Sequence, residues 1–266
     1  MNPPQFRRET LTAIEAVRDA LDVALEALGT AGVSVKAGRD LVTTADVASE
    51  DAIRTALSSA GPIPVIGEER GGDLPAGGSP YWLVDPICGT GNYAAGTKLW
   101  CVNVALIEDG VVSIGVVGDP SDREVLVAER GRGAWALREA GPVRLATSAA
   151  GSTVVIEEGK STGAVREHAA RLMAEAVRAD RWDFRSLGTT LAMPYLASGR
   201  VSAYVVMYVS SPLHAAAGTL LIAEAGGVVS DASGDPWTLA STNLLAAADA
   251  TTHDDLLRLA TATAVR

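Results

Sequence analysis

Between residues 64 and 129 the chain breaks into five short apolar runs, each closed by a turn, and this rhythm limits the possible folds more than any other feature. The runs are PVIG (64–67), YWLVD (81–85), CVNVALIE (101–108), VVSIGVVG (111–118) and EVLVAE (124–129). Short apolar runs bounded by Gly, Pro and Asp read as strands, and Asp109-Gly110 between two of them is a hairpin signal. Ahead of them, Leu11, Ile14, Val17, Leu21, Ala24 and Leu25 recur at three- and four-residue steps, so residues 7–29 read as an amphipathic helix. A second helix is expected over 44–60, with Asp46 in its first turn and Gly61-Pro62 ending it. This part reads as a mainly antiparallel sheet with two helices lying on it.

The rest of the chain alternates more evenly. Strands are expected at 152–158, 202–209, GVVSD and NLLAAAD, and helices at 164–177, 213–227 and in the closing DDLLRLATATAV. The segment 189–198 is a further helix, shortened or kinked by Pro194. GGDLPAGGSP (71–80) is the most loop-like stretch, and no internal repeat or flexible linker is found. The 266 residues suit two joined halves, an α+β half over 1–145 and an α/β half over 146–266 that completes the site. Together they form one layered α/β body.

Composition excludes some classes of function. Hydrophobic residues at 48% and charged residues at 20% describe a folded chain. With 22 Lys+Arg against 32 Asp+Glu the net charge is −10, which argues against nucleic acid as the main partner. A small anionic substrate stays possible, because a bound cation or a helix start can invert the local field. Two cysteines are too few for a disulfide scaffold, and the N-terminus has no apolar signal region. No apolar run is long enough to span a membrane, so a reducing cytoplasm is expected. Only three lysines (Lys36, Lys98, Lys160) against many arginines and alanines suggest a GC-rich bacterial source.

The chemistry concentrates in Gly67-Glu68-Glu69 and, beginning with Trp82, the run W-L-V-D-P-I-C-G-T-G-N-Y. A strand ending at Asp85, a turn forced by Pro86 and free amides at Gly89-Thr90 would suit a hard cation and a phosphate together. Glu68, at the end of its own strand, can supply a second carboxylate. Taken singly, each piece also reads as a turn with surface acids.

In combination the pieces resemble the inositol monophosphatase family of Mg²⁺-dependent phosphatases. Asp40-Leu-Val-Thr-Thr-Ala-Asp46 is similar to its early acidic segment, followed by Gly67-Glu68-Glu69 and the Asp85-Pro-Ile-Cys88-Gly-Thr90 run. Ser186-Leu-Gly188-Thr189-Thr190, Ser198-Gly-Arg200, Pro212-Leu-His214 through Gly218, and Glu224-Ala-Gly-Gly227 complete the order and spacing. The resemblance implies a layered α-β-α-β-α sandwich and a homodimer. It implies that Glu68, Asp85 and the carbonyl of Ile87 hold one Mg²⁺, and that Asp46 and Thr90 position the attacking water. It further implies that the amides of Gly89 and Thr90 hold phosphate oxygens, while Gly188, Thr189 and Met207 face the substrate. Met207 lies near an acidic position that touches substrate hydroxyls in related enzymes, which weakens the case for a polyol.

Two positions depart from the pattern as a pair. Cys88 and His214 stand where the family has aspartates holding a second metal, and a thiol and an imidazole are poor ligands for Mg²⁺. Three readings follow: loss of catalysis, leaving a phosphometabolite-binding protein; a softer metal such as Zn²⁺ or Fe²⁺ on Cys88, His214 and Asp85; or a catalytic role for His214, with Cys88 as partner or nucleophile. The helix start at His214 is expected to disfavour its imidazolium. Both side chains should lie within about 3–5 Å of each other if they share the old metal position. The expected function is a phosphomonoesterase acting on a small phosphorylated metabolite. A repurposed enzyme performing phosphate elimination, rearrangement or cyclisation in specialised metabolism is the alternative. His168 and His253 read as surface or capping residues, Cys101 as a buried hydrophobe, Trp82 and Trp100 as core, and Arg185 as either a surface or a substrate contact.

Overall fold

A computed structural model describes residues 5–264. The apolar stripe of α1 (Arg8–Ala27) buries Ala13, Ile14, Val17 and Leu21, as its spacing requires. A small antiparallel hairpin follows, β1 (Val33–Ala37) and β2 (Asp40–Thr43). Then comes α2 (Thr44–Leu57), ended by a short 3₁₀ turn over Ser58–Ala60. Next are β3 (Val65–Gly67), β4 (Tyr81–Cys88) and the short helix α3 (Thr90–Ala94). Strands β5 (Cys101–Glu108), β6 (Val111–Asp119), β7 (Glu124–Glu129), β8 (Gly133–Arg138) and β9 (Gly141–Arg144) continue as a meander. The strands β3 to β9 lie in chain order in one seven-stranded sheet, antiparallel except for the β3–β4 pair.

The second sheet is built from β10 (Thr153–Glu157), then α4 (Gly163–Arg178), β11 (Asp183–Arg185), α5 (Ala192–Ala197) and β12 (Ala203–Val206). It closes with α6 (Ala216–Glu224), β13 (Val228–Ser230), β14 (Leu244–Ala247) and α7 (Ala250–Ala262). Its order is β11-β10-β12-β14-β13, with β10 parallel to both neighbours and β14 antiparallel to both of its own. Helices α1 and α2 cover one face of the first sheet. Helices α5 and α6 fill the space between the sheets, and α4 and α7 cover the far face of the second. The result is the expected α-β-α-β-α stack. Among the described residues no helix is long and apolar enough to cross a membrane.

Three local features differ from the sequence expectation. The chain does not turn at Pro86: β4 runs on to Cys88 through a bulge in which Asp85 pairs with Asn103 and Cys88 with Cys101. A bulge tolerates the missing proline N–H, and the turn waits for Gly89, whose φ of 109° suits glycine. The helix expected over 189–198 is shortened, as anticipated, but it loses residues mainly at its start, and Pro194 sits in the first turn of Ala192–Ala197, where its N–H is not needed. The hairpin β1–β2 and the strands β9 and β11 had no clear apolar signal, being short or half exposed, and in the largely buried β8 the run GAWALR is interrupted by a Gly and small residues.

Candidate active site

The site forms where β3, β4 and α2 of the first sheet layer meet the ends of β10 and β12 and the 3₁₀ turn Pro212–His214. Asp46 is set by the start of α2, where Thr43 and Asp46 make a reciprocal capping box. Asp46 Oδ2 accepts from the Thr43 amide at 2.8 Å, leaving Oδ1 to accept from Thr90 Oγ1 at 3.2 Å. Thr90 Oγ1 also lies 3.2 Å from the Ile87 carbonyl. Glu68 follows directly on β3, in a turn whose Glu69 and Arg70 amides are held by the buried Glu50 carboxylate.

Asp85 is fully buried. Its Oδ2 is 2.7 Å from His214 Nδ1, while Oδ1 has no hydrogen-bond partner among the described residues. Cys88 Sγ accepts from Thr190 Oγ1 at 2.9 Å. One ligand atom from each of Asp85, Cys88 and His214 lies within 4.8 Å of the other two, in keeping with the proximity expected of Cys88 and His214.

Burial shapes the charges. It is the main cause that pushes the Glu68 carboxyl up to about 8, helped by the charge of Asp85 and opposed by His214 and Lys36. Burial likewise raises Asp46, against the hydrogen bonds from Thr43 and Thr90. For His214 burial alone would lower the pKa, but the Asp85 hydrogen bond and charge, with Cys88 adding to them, hold it well above the ordinary imidazole value. The expected effect of a helix start is therefore overridden by a carboxylate in contact. The Cys88 thiol is pushed well up by Cys101 and by burial, which disfavours the thiolate in the metal-free protein.

A cavity of about 390 Å³ opens over these groups. Glu68, Ile87, Cys88, Gly89, Thr90 and His214 line it from one side, and Gly188 and Thr189 from another. Asp85 stands behind His214, and Asp46 behind Thr90. Met207 is not brought in. The alternation along β12 turns Ala203, Val205 and Met207 toward the core beneath α4 and α7, while Tyr204 and Val206 face the cavity. Glu157, which the sequence did not single out, ends β10 and accepts from Ser186 Oγ at 2.8 Å, Leu187 N at 2.6 Å and Gly188 N at 2.9 Å. Its only signal was an acid closing an apolar strand.

The remaining candidates lie elsewhere or serve packing. His168 Nε2 lies 2.7 Å from the Ala260 carbonyl, and His253 Nε2 2.8 Å from Ser230 Oγ. Arg185 is exposed and donates to the Phe184 carbonyl. Trp82 and Trp100 are buried core residues. Cys101 is buried too, but it pairs with Cys88 across the strands, 3.5 Å from Thr190 Oγ1.

The residues fit one hard cation and not two. Asp85 Oδ1 is a buried oxygen without a partner, and Glu68 is an acid whose ionisation is opposed by burial and by Asp85; a divalent cation would satisfy both. The neighbouring position offers sulfur and imidazole, which suit Zn²⁺ or Fe²⁺ better than Mg²⁺.

A fold of this layered type, with acids at strand ends beside free amides, defines an α/β phosphatase scaffold. The chain matches the model of the inositol monophosphatase family over residues 7–264 and belongs to that family. It is 36% identical over 210 residues to an inositol-1-monophosphatase of Mesorhizobium japonicum, covering 76% of each chain. It is 32% identical over 272 residues to the inositol-1-monophosphatase ImpA of Mycolicibacterium smegmatis, covering 99% of this chain and 95% of that one. The structure of the extragenic suppressor protein suhB from Bartonella henselae superposes with a TM-score of 0.86 at 25% identity, covering 96% of this chain and 98% of the other. The chain is a phosphatase-like hydrolase of this family.

Proposed function

We propose that the chain is a phosphomonoesterase for a small phosphorylated metabolite in which the Asp85–His214 pair replaces the second metal. The observation that carries this reading is the division of labour on one buried carboxylate: Oδ2 takes His214 Nδ1 at 2.7 Å and Oδ1 is left free. Glu68, Asp85 and the Ile87 carbonyl would hold one Mg²⁺, which when bound supplies charge neutralisation at a phosphate oxygen and acidifies water. Thr90 Oγ1, tied to Asp46, orients the attacking water. The amides at Gly89 and Thr90, which have no acceptor within their own turn, hold phosphate oxygens. His214, with Nδ1–H directed to Asp85, delivers a proton from Nε2 to the leaving alcohol oxygen. A bacterial cytoplasm and a homodimer accompany this reading.

The test is release of inorganic phosphate from a panel of sugar, inositol, alkyl and aryl phosphates with Mg²⁺ or with EDTA. Mg²⁺-dependent release supports the reading. Conversion of a phosphate ester to a rearranged or cyclised product without water uptake would instead favour non-hydrolytic chemistry, and no turnover at all would favour a binding protein. A second reading of the pair rests on the clustering of Asp85, Cys88 and His214 ligand atoms within 4.8 Å, a donor set for Zn²⁺. Stoichiometric zinc in protein purified without chelator would favour it over the general-acid role.

A further inference from the structure

We infer that the alcohol carried by the phosphate is predominantly apolar and not a polyol. This rests on the phosphomonoesterase reading, because His214 marks where the leaving alcohol lies. Beside His214 the cavity is walled by Val206, Val209 and Ala215, with Tyr204 and Tyr208 also lining it. Hydroxyl groups pressed against this wall would need acceptors and donors, and most of the polar side chains nearby are already engaged.

Glu157 spends its two oxygens on Ser186 Oγ and the amides of Leu187 and Gly188. Thr189 Oγ1 donates to the Cys88 carbonyl at 2.7 Å and Thr190 Oγ1 to Cys88 Sγ at 2.9 Å. The Asn92 side-chain amide donates to the carbonyls of Leu99 and Leu187. Toward the mouth, Glu158 is paired with Arg39 and Arg166, and Lys160 with Asp40. That leaves the exposed Ser210, the Asn92 carbonyl oxygen and the hydroxyls of Tyr204 and Tyr208 as the simple polar contacts on offer, too few to match every hydroxyl of a polyol.

A ring of hydroxyls would therefore lose water without full replacement, at a cost of about tenfold in affinity for each one left unpaired. Each methylene buried on the wall should instead gain about fourfold. At about 390 Å³ the cavity is toward the small end for ligand sites, which limits the alcohol to a short-chain, cyclic or aryl group.

Calorimetric binding of phosphonates to the full chain with Mg²⁺ tests this without requiring turnover. Affinity should rise from propyl- to hexylphosphonate by at least about tenfold, and 2,3-dihydroxypropylphosphonate should bind at least about tenfold more weakly than propylphosphonate. Val206→Glu should reverse that order, and the nearly isosteric Val206→Thr should narrow the gap. Inorganic phosphate serves as the reference ligand. Phosphate binding with no chain-length gain, or with the dihydroxypropyl compound binding as well as propyl, would overturn the apolar-alcohol inference alone. Absence of binding by phosphate and by every phosphonate would overturn the phosphomonoesterase reading and this inference with it.

Discussion

Replacing His214 by alanine separates a proton donor from a structural prop, and the geometry sets both magnitudes. Asp85 is fully buried, its Oδ1 has no partner, and His214 Nδ1 at 2.7 Å is the partner of Oδ2. His214→Ala leaves a buried carboxylate with neither oxygen satisfied, which in metal-free protein should cost about 3–5 kcal/mol in a urea titration. Added Mg²⁺ should recover part of that loss by engaging Asp85. Turnover should fall separately. A general acid contributes about 10²-fold or more, or about 2.7 kcal/mol at the barrier. The loss should fall on alkyl phosphates, whose alkoxide leaves poorly without a proton. It should nearly vanish for 4-nitrophenyl phosphate, whose phenolate leaves unaided. The pH dependence follows the same assignment. Since the folded-state pKa of His214 is raised, the protonated pair and its stability are fully present below the ordinary imidazole value near 6.5. Both are lost only as pH rises through the raised value, so alkyl phosphate hydrolysis should hold across pH 6–7 and decline only as pH passes that raised value. An equal loss for both substrates in His214→Ala would refute the proton-donor role.

Other substitutions test the scaffold of the site. A methyl group at Gly67 would sit 2.1 Å from Glu50 Oε1, in the carboxylate that anchors the Glu69 and Arg70 amides. Gly67→Ala should therefore lower stability by about 2 kcal/mol and weaken Mg²⁺ binding through Glu68; an unchanged denaturation midpoint would contradict this. Glu157→Ala strips an acceptor from the Leu187 and Gly188 amides and should cost about 2–4 kcal/mol by urea denaturation, with KM raised more than kcat falls. Placing aspartate at both Cys88 and His214 should raise the Mg²⁺ stoichiometry seen by calorimetry from one to two. A stoichiometry that stays at one would show that more than these two side chains excludes the second ion.

The sequence by itself determined the helices with a strong three-to-four periodicity, the apolar strands of the meander, and the acids and amides that make the phosphate end. Those features are local: an acid in a first helical turn, a Gly after a strand, and a short apolar run closed by a turn are each read from neighbours a few residues away. The places of Cys88 and His214 within their motifs were also legible, because motif order survives without coordinates. Only the tertiary structure decided what those residues touch. The contact between Asp85 and His214 spans 129 positions, and it overturns the imidazole behaviour expected of a helix start. The three donors gathered by Glu157 lie about thirty residues from it in sequence. Whether Val206 or Met207 faces the cavity turns on a one-residue register in β12. The side chains of a strand alternate, so a shift of one position exchanges the inner and outer faces, and composition leaves that choice open where both neighbours are apolar.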